Sequence, residues 1–427
     1  MGGEKSPLFE MLNSSMRYRK YTLADLKESA SRKRFNVVSF FAGGGGSSCG
    51  YKLAGGDVLC VNEFQEIHAK SYSANFPDTP VIVDDIRNVT GKTIREKIGD
   101  VEVDILDGSP PCPPFSMAGS KQEGWGKEKV AYGWKQKNIE DLTFDQIRIV
   151  GDLKPKVVVC ENVKGLTMDY AREYLTRMIS EFEKEGYITD YQVLNGWQFG
   201  VPQKRERIFI VSIREDVADK IGINFLNFKS MVFPLPSDEN KPTIRDAIED
   251  LQDDPENIEE AKVLEEAMKN SSKGHWVHGF ETHPDFPGSG PCKGLRGVES
   301  REKVISVGDN VVGPWFEEQI KNGVIKKEDE KHSYYMSRVV PYDQAAHSLT
   351  EKGLQSKFMG GNHFHPEELR IYTLKEAQRI MTLPDDYKHE GSLDDSQARI
   401  GLMVAPMCMY HLAESIYENV LEPYGNS

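Results

Sequence analysis

The sequence predicts an α/β fold, in which a doubly wound, mostly parallel sheet is joined by a second, smaller and irregular domain. Two observations predict the sheet: short continuous apolar runs alternate with helical stretches, and glycine-rich or polar groups follow directly after those runs. A third observation predicts the other domain, because a long later segment is rich in Gly, Pro, His and aromatic residues and has little periodicity. At 427 residues the chain is long enough for two domains.

Six apolar runs have the length of strands, and they lie at residues 35–41, 58–62, 80–83, 103–106, 156–160 and 209–213. Helices are expected from the glycine-rich turn to about residue 53, and at 65–75. Ligands of an open parallel sheet bind at the carboxyl ends of its strands. The sequence therefore predicts one cleft, assembled from Gly43, Gly44, Gly45, Gly46, Glu63, Asp85, Cys112 and Glu161.

Four segments are expected along the chain. They are a polar N-terminal lead-in with one weak helical stretch (1–34), the sheet domain (35–213), the irregular domain (214–362) and a C-terminal segment that returns to the sheet domain (363–427). Helical structure is predicted at 241–251 and 373–381, and in a final helix near 404–420. Residues 116–140 are a long stretch with glycines and lysines, which suits a mobile lid.

The composition limits which binding partners and which cellular compartment can be expected for the protein. The formal net charge is −14, which is not the usual footprint of a nucleic-acid binder. Phosphate contacts are local, however, and basic clusters occur at 17–20, 32–34 and 204–207, although each of these also fits a solvated face. No apolar run approaches the roughly 20 residues of a membrane span. Six scattered cysteines without a C-x-x-C pair, and no leader, predict a reducing, cytoplasmic compartment.

The residues after the first three strands fit an adenosine-bearing cofactor. The glycine run allows the backbone to approach a ligand closely, Glu63 suits a pair of ribose hydroxyls, and Asp85 can accept from an adenine amino group. Each also has a plainer interpretation: a flexible turn, a lone surface acid and a turn or helix cap, respectively. The P-loop pattern is absent, which argues against a P-loop nucleotide.

Cys112 is the candidate nucleophile, because the prolines around it in Pro110-Pro111-Cys112-Pro113-Pro114 stiffen the backbone and present the thiol in one direction. The alternative is a structural cysteine in a proline-rich turn. Glu161 and Asn162 end the fifth strand, where a carboxyl group can be held protonated, or can simply face solvent. Arg205 and Arg207 alternate before the sixth strand and are expected on one face of it, an arrangement that a charged edge strand would share.

Taken in chain order, these motifs resemble those of the cytosine-5 DNA methyltransferases of bacterial or phage type, from Phe35 to the last helix. The matching patterns are F-x-G-x-G-G at 41–46, P-C-x-x-F-S at 111–116, E-N-V at 161–163 and Q-x-R-x-R at 203–207. Residues 370–381 resemble the family's ninth motif, and Ser348 and Leu349 stand where the family often has Thr-Leu.

The resemblance implies the fold of the S-adenosylmethionine-dependent methyltransferases, with catalytic and cofactor-binding functions in 35–213 and target recognition in 214–362. It implies S-adenosylmethionine as cofactor, double-stranded DNA as partner, no metal, and a bacterial or phage-infected cell as host; a monomer is expected. The cofactor contacts it implies are Phe41, Gly43, Gly44, Gly45, Gly46, Glu63, Phe64, Asp85, Ile86, Pro111 and Leu142.

The same resemblance implies methyl transfer to C5 of a flipped-out cytosine within a specific DNA sequence. The Cys112 thiolate would add to C6, Glu161 would hydrogen-bond N3, and Arg205 would anchor the base with help from Arg207. The group that removes the C5 proton is not identified, and water fits that role. Further substrate contacts are implied for Ser116, Asn162, Gln203, Ser348 and Leu349.

The chain departs from the family pattern at two places. Pro113 replaces the usual glutamine after the cysteine, at a variable position. The last motif usually contains G-N-x-V-P-P, but residues 401–406 are G-L-M-V-A-P, so that Leu402 replaces the asparagine and one proline is lost. This second departure leaves the cofactor contacts of the last motif open.

Three alternatives remain at this stage. A related fold methylates cytosine in RNA, but its members are usually compact, whereas this chain has a long irregular insertion. A non-enzymatic DNA-binding relative would typically lack Cys112 or Glu161, and both are present. A zinc site is conceivable at His275, His278, His283 and Cys292, whose spacing loosely resembles that of zinc ligands.

Overall fold

The computed structural model describes residues 18–111, 129–131, 134–136, 141–237, 241–270, 340, 342–350, 365–366, 368 and 370–426. Within these residues the strands are β1 (Phe35–Phe40), β2 (Gly56–Glu63), β3 (Val81–Val83), β4 (Ile105–Gly108), β5 (Lys129–Ala131), β6 (Trp134–Gln136), β7 (Val157–Val163), β8 (Tyr187–Asn195), β9 (Gln203–Lys204), β10 (Glu206–Arg214) and β11 (Ala346–His347).

Seven of these strands form one sheet in the order β3-β2-β1-β4-β7-β10-β8. The first five are parallel, and β10 runs antiparallel to both of its neighbours. The six predicted strands are confirmed to within a few residues. The sequence did not predict β8, which lies at the edge of the sheet, where most of its residues are partly exposed, and which lacks a continuous apolar run.

The register brings the carboxyl ends of the central strands together. Phe40 at the end of β1 pairs with Asn62 on one side and with Gly108 on the other, and Gly108 pairs with Cys160 of β7. The residues that follow these positions, including Glu63 and Glu161, therefore lie along one edge of the sheet.

The helices are α1 (Leu23–Ala30), α2 (Gly46–Leu53), α3 (Glu66–Asn75), α4 (Gly91–Ile98), α5 (Leu142–Leu153), α6 (Arg172–Lys184), α7 (Glu215–Ile221), α8 (Phe228–Val232), α9 (Ile244–Ile248), α10 (Pro255–Asn270), α11 (Leu374–Ile380), α12 (Leu393–Leu402), α13 (Pro406–Ile416) and α14 (Glu422–Asn426). The helices expected near 46–53, 65–75, 241–251, 373–381 and 404–420 are present, and the last continues into a π-helical turn at Tyr417–Leu421. Within the described residues, no helix is long and apolar enough to cross a membrane.

Helices cover both faces of the sheet, as a doubly wound fold requires. Val37 of β1 packs in a cluster with residues of α2 and α13, whereas its neighbour Val38 packs in another cluster with Ile94 of α4 and Ile149 of α5. Successive strand residues point to opposite faces, so this division follows directly from the continuous apolar runs.

The segment before β1 is part of this core, which its polar composition did not indicate. Tyr18 and Tyr21 are buried, and their hydroxyl groups donate to the carbonyl oxygens of Arg379 (2.9 Å) and Thr382 (2.6 Å).

Later in the chain, β11 pairs in parallel with β9, so residues 346–347 contact the sheet domain. The domain boundaries stay predictions, and residues 271–339 lie outside the described part of the chain.

Candidate active site

A cleft opens beyond the carboxyl ends of β1 to β4 and encloses about 930 Å³ of atom-free space, part of it open to solvent. Its walls come from the glycine-rich turn, the ends of β2 and β3, the segment before Cys112, α5 and the C-terminal segment. The residues that line it are Ser39, Phe41, Ala42, Gly43, Gly46, Ser47, Asn62, Glu63, Phe64, Gln65, His68, Asp85, Ile86, Ser109, Pro111, Leu142, Arg399, Leu402, Met403 and Val404.

The turn after β1 has an unusual backbone. Gly43 and Gly45 have φ values of +54° and +94°, in the region that favours glycine, and Phe41 has φ +53°, which is rare for an aromatic residue. Gly43 and Gly46 line the cleft, as predicted, and so does Phe41. The turn therefore brings its backbone directly against the space that a ligand would fill.

Gly44 and Gly45 are not among the residues that line the cleft, and their predicted contacts with a cofactor stay a prediction. A Cβ atom on Gly44 would collide with the methyl group of Met403, and one on Gly45 would lie 2.7 Å from the ring of Phe76. These two glycines allow the turn to pack closely against the C-terminal segment and α3.

Backbone hydrogen bonds hold the Glu63 carboxylate next to the glycine-rich turn. Its two carboxylate oxygens accept from the N–H groups of Gly43 (2.8 Å) and Gln65 (2.7 Å). Burial raises the pKa of Glu63, and these hydrogen bonds and the charge of Arg399 oppose that shift. Each oxygen keeps further acceptor capacity, so the group can also accept from a pair of ribose hydroxyls.

The opposite wall combines apolar surface with one carboxylate. Phe64 is 43% exposed and, with Ile86 and Leu142, offers a surface against which a planar ring can pack. Asp85 accepts from the backbone N–H of Arg87 (3.0 Å) and pairs with its Nη1 atom (2.9 Å). Asp85 therefore stabilises a turn, as its plainer interpretation predicted, and it also lines the cleft.

The C-terminal segment supplies a wall of the cleft that was not predicted from the sequence. Arg399, Leu402, Met403 and Val404 line the cleft, and His68 lines it from α3. One signal was available, because the departure at Leu402 marked this segment as different from the family pattern.

Glu161 and Arg207 form an ion pair at the end of β7. The Nε atom of Arg207 lies 3.1 Å from Oε1 of Glu161, because Arg207 pairs with Val163 in the antiparallel register, two residues along from Glu161. Burial raises the pKa of Glu161, and the charges of Arg207 and Arg205 oppose that shift without cancelling it. Such a carboxyl can hold a proton and donate it in a hydrogen bond.

Arg205 contacts a different part of the protein, although it was expected on the same face as Arg207. It is buried, and its Nη atoms donate to the carbonyl oxygens of Leu349 (2.9 Å), Gly401 (3.0 Å) and Met403 (2.8 Å). The chain is interrupted at Arg205 between β9 and β10, so the alternation of an extended strand does not hold across it. Arg205 therefore joins three chain segments, and Arg207 is the arginine that faces Glu161.

Gln203, Ser348 and Leu349 take part in the same junction. The side-chain carbonyl of Gln203 accepts from the N–H group of Leu349 (3.1 Å), and its amide group donates to the carbonyl oxygen of Ile380 (3.0 Å). Ser348 lies 3.4 Å from Nη1 of Arg205. These three residues were predicted to bind substrate, but in the structure they connect the β9–β11 pair to the C-terminal helices.

Asn162 holds the segment that leads to the predicted nucleophile. Its side-chain amide donates to the carbonyl oxygen of Pro110 (3.2 Å), and the next residue, Pro111, lines the cleft. Cys112 and Ser116 lie outside the described residues, and so does most of the predicted lid at 116–140, in which only the antiparallel pair β5–β6 is described.

The described cysteines are not suited to nucleophilic attack. Cys49, Cys60, Cys160 and Cys408 are buried, and burial raises the pKa of each thiol. Cys292 lies outside the described residues, together with His275, His278 and His283 of the zinc alternative. In the described part of the chain, no group of three or more His, Cys, Asp or Glu residues could hold a metal ion.

Asp107 is a buried carboxyl group that the sequence analysis did not single out. Its oxygens accept from the hydroxyl groups of Ser39 (2.8 Å) and Tyr51 (3.2 Å). Burial raises its pKa to about 7, the hydrogen bonds from Ser39, Tyr51 and Ser47 oppose the shift, and the charge of Glu161 adds to it. Ser39 and Ser47 line the cleft, so Asp107 lies directly behind its wall.

The fold is similar to that of a solved structure described as a DNA modification methyltransferase. A putative enzyme of this kind, encoded within a prophage of E. coli, has a solved structure that matches with a TM-score of 0.56 at 17% identity, over 90% of this chain and 99% of that one. This match concerns the fold alone.

Residues 35–418 match the family model of the C-5 cytosine-specific DNA methylases, and the chain therefore belongs to that family. It is a DNA cytosine-5 methyltransferase, as predicted. The Type II methyltransferase M.XorII of Xanthomonas oryzae pv. oryzae is 27% identical over 390 residues, 87% of this chain and 81% of the relative. M.Sau96I of Staphylococcus aureus is 27% identical over 392 residues, 92% of this chain and 78% of the relative.

Proposed function

We propose that this enzyme takes its methyl group from S-adenosylmethionine bound in the cleft, and that Cys112 is the nucleophile that activates a flipped-out cytosine. The observation that carries the proposal is the continuity of the cleft: its walls run from Glu63 and Phe64 to Pro111, which is followed in the chain by Cys112.

The cleft suits the cofactor at several points. Glu63 can accept from the ribose hydroxyls, the exposed ring of Phe64 can pack on the adenine, and Asp85 lies beside Ile86 where it can accept from the adenine amino group. Gly43 and Gly46 line the cleft without side chains, so they leave room for the rest of the cofactor. When bound there, S-adenosylmethionine supplies the electrophilic methyl group.

The reaction needs a thiolate and a proton donor on opposite sides of the ring. Cys112 Sγ adds to C6 of the cytosine, and the electron pair of the C5–C6 bond moves toward C5 and N3. Glu161, whose pKa is raised by burial, donates a hydrogen bond to N3 and stabilises this charge. The methyl group that S-adenosylmethionine would supply goes to C5, with S-adenosylhomocysteine as the leaving group. A base or water then removes the C5 proton, the electron pair of that bond re-forms the C5–C6 double bond, and the C6–Sγ bond breaks to release the Cys112 thiolate.

The structure changes which arginine we assign to the base. Arg205 uses its Nη atoms on three backbone carbonyl groups, whereas Arg207 lies beside Glu161. We therefore assign the contact with the flipped base to Arg207, and assign to Arg205 the support of the segment that carries it. Asn162 positions the nucleophile through Pro110.

The relatives are Type II methyltransferases, which supports a role in sequence-specific modification of DNA by this chain. In this proposal, residues within 214–362 read the target sequence in the major groove.

The test is transfer of labelled methyl from S-adenosylmethionine to mixed-sequence duplex DNA, with nucleoside analysis to locate the label. We expect 5-methylcytosine with the wild type, and a loss of about 10⁴-fold or more with Cys112→Ser. Cys292→Ser is the matched control and should retain activity. Label on tRNA in place of DNA, or full activity of Cys112→Ser, would contradict the proposal.

A second experiment detects the intermediate. In the presence of S-adenosylmethionine, a duplex containing 5-fluorocytosine at the target position should form a stable adduct with the wild type and with Cys292→Ser. After methyl transfer the fluorine at C5 cannot leave as the proton does, so the C6–Sγ bond does not break. Cys112→Ser should form none. An adduct that survives in Cys112→Ser would assign the attack to another residue.

A further inference from the structure

Arg399 is a fully buried arginine in the wall of the cleft. It belongs to α12 and is 0% exposed, and it lines the cleft together with Leu402 and Met403. Gly44 leaves the space for it, since a Cβ atom there would lie 3.0 Å from Cδ of Arg399.

Its guanidinium group has fewer partners than a buried charge needs. Nη1 donates to the hydroxyl group of Ser71, and Nη2 donates to the carbonyl oxygen of Glu390 (2.6 Å). Among the described residues, Nε has no hydrogen-bond partner and no carboxylate lies within 4 Å of the guanidinium group. A buried arginine stays charged, so this arrangement is costly without a nearby anion.

Two other buried arginines of the C-terminal segment show the contrast. Arg370 pairs with Glu376 at 2.7 Å, and Arg379 pairs with Asp250 at 2.6 Å and with Asp385 at 2.8 Å. Both of these arginines lie away from the cleft walls. Of these three arginines of the C-terminal segment, the one that lines the cleft is the one without a carboxylate partner among the described residues.

The charges of the Asp395, Glu390 and Glu63 carboxylates oppose the lowering of the Arg399 pKa by burial, but among the described residues none of them pairs with its guanidinium group within 4 Å. Burial, followed by the charge of Arg399, lowers the pKa of His68 to about 4 and that of His389 to about 3, so both rings are neutral at physiological pH. Glu63 senses the charge of Arg399, but its two oxygens accept from backbone N–H groups.

We propose that Arg399 binds the carboxylate of the amino-acid end of S-adenosylmethionine. This inference rests on the proposed function, because that carboxylate is the cofactor's one anionic group. The amino-acid end is joined to the ribose that Glu63 suits, and Arg399 lies near enough to Glu63 for the two charges to interact, so the C-terminal wall lies next to the ribose position. Leu402 stands in that wall where the family resemblance expects an asparagine, and its side chain cannot donate a hydrogen bond. Arg399 supplies the donor, and with it a full positive charge.

The test compares two ligands by calorimetry: S-adenosylhomocysteine, which carries the carboxylate, and 5′-methylthioadenosine, which lacks the amino-acid end. We expect Arg399→Gln to weaken the binding of S-adenosylhomocysteine by about tenfold or more and to leave the affinity for 5′-methylthioadenosine nearly unchanged. Leu402→Asn in the Arg399→Gln background should recover part of the loss, because the amide restores a neutral donor. Equal losses for both ligands, or none, would overturn the inference.

Arg399→Lys covers the case in which the glutamine variant does not fold. Lysine keeps the charge but lacks the planar guanidinium group, which can bind both oxygens of a carboxylate. We therefore expect a several-fold loss of affinity for S-adenosylhomocysteine alone. An unchanged ratio of the two affinities in this variant overturns the inference. If the wild type binds none of S-adenosylmethionine, S-adenosylhomocysteine and 5′-methylthioadenosine, the proposed cofactor itself is wrong, which is a different result.

Discussion

Asp107→Asn should change how the stability of the protein depends on pH. Asp107 is 1% exposed, and burial raises its pKa to about 7 from an ordinary value near 4. The folded protein therefore keeps the proton of this carboxyl at pH values where the unfolded chain has lost it. Above pH 4 the free energy of unfolding that this group contributes falls as the pH rises, until the folded group also ionises near pH 7.

The size of the effect follows from the shift. One pKa unit corresponds to about 1.4 kcal/mol, and about two units of the shift lie between pH 5 and pH 7. The Asp107 carboxyl should therefore lower the free energy of unfolding by about 2–3 kcal/mol between pH 5 and pH 8. Asparagine has the same shape and does not titrate, so the variant lacks this decline.

Urea unfolding of wild type and variant at intervals between pH 5 and pH 8 measures the effect. The difference between the two proteins is the useful quantity, because contributions from the other buried groups largely cancel in it. We expect the free energy of unfolding of the variant to increase relative to that of the wild type as the pH rises, with most of the increase below pH 7. A difference that does not change with pH would show that Asp107 is ionised throughout and would refute the reasoning.

Three further predictions concern the cleft. Asn162→Ala removes the hydrogen bond to Pro110 and should lower kcat by on the order of tenfold with unchanged cofactor affinity, and an unchanged kcat in steady-state assays would contradict it. Gly44→Ala should cost about 1–3 kcal/mol in urea unfolding by collision with Met403, and equal stability to the wild type would show that the segment can shift. Arg207→Gln removes the cation 3.1 Å from Glu161, so the pKa of Glu161 should rise further and kcat should fall about 100-fold. An unaltered pH–rate profile would argue against that contact.

Continuous apolar runs allowed most of the sheet to be predicted from the sequence. A strand buried on both faces is mostly apolar, and β1, β2, β4 and β7 each contain an apolar run whose polar residues lie mainly near the strand ends. The edge strand β8 does not need such a run, because many of its residues are only half-buried, and it was missed for that reason.

The two walls of the cleft differed in how well they could be predicted. Glu63 ends β2, Phe64 follows it, and Asp85 comes two residues after β3, so position in the chain was enough to place them. Arg399 lies more than 300 residues from Glu63, and local patterns carry no information about such a contact. The expectation that Arg205 and Arg207 lie on one face came from strand alternation, which fails where the strand is interrupted.

The position of the C-terminal wall has a consequence for the order of folding. The last strand of the large sheet ends at Arg214, whereas the cleft gains Arg399, Leu402 and Val404 only near the end of the chain. A growing chain on the ribosome can thus assemble its strands well before its cofactor site has all its walls. The ligand can stabilise only the completed product and has little to bind on the early intermediate, so the barrier to forming the sheet should not respond to it, whereas unfolding of the finished protein should.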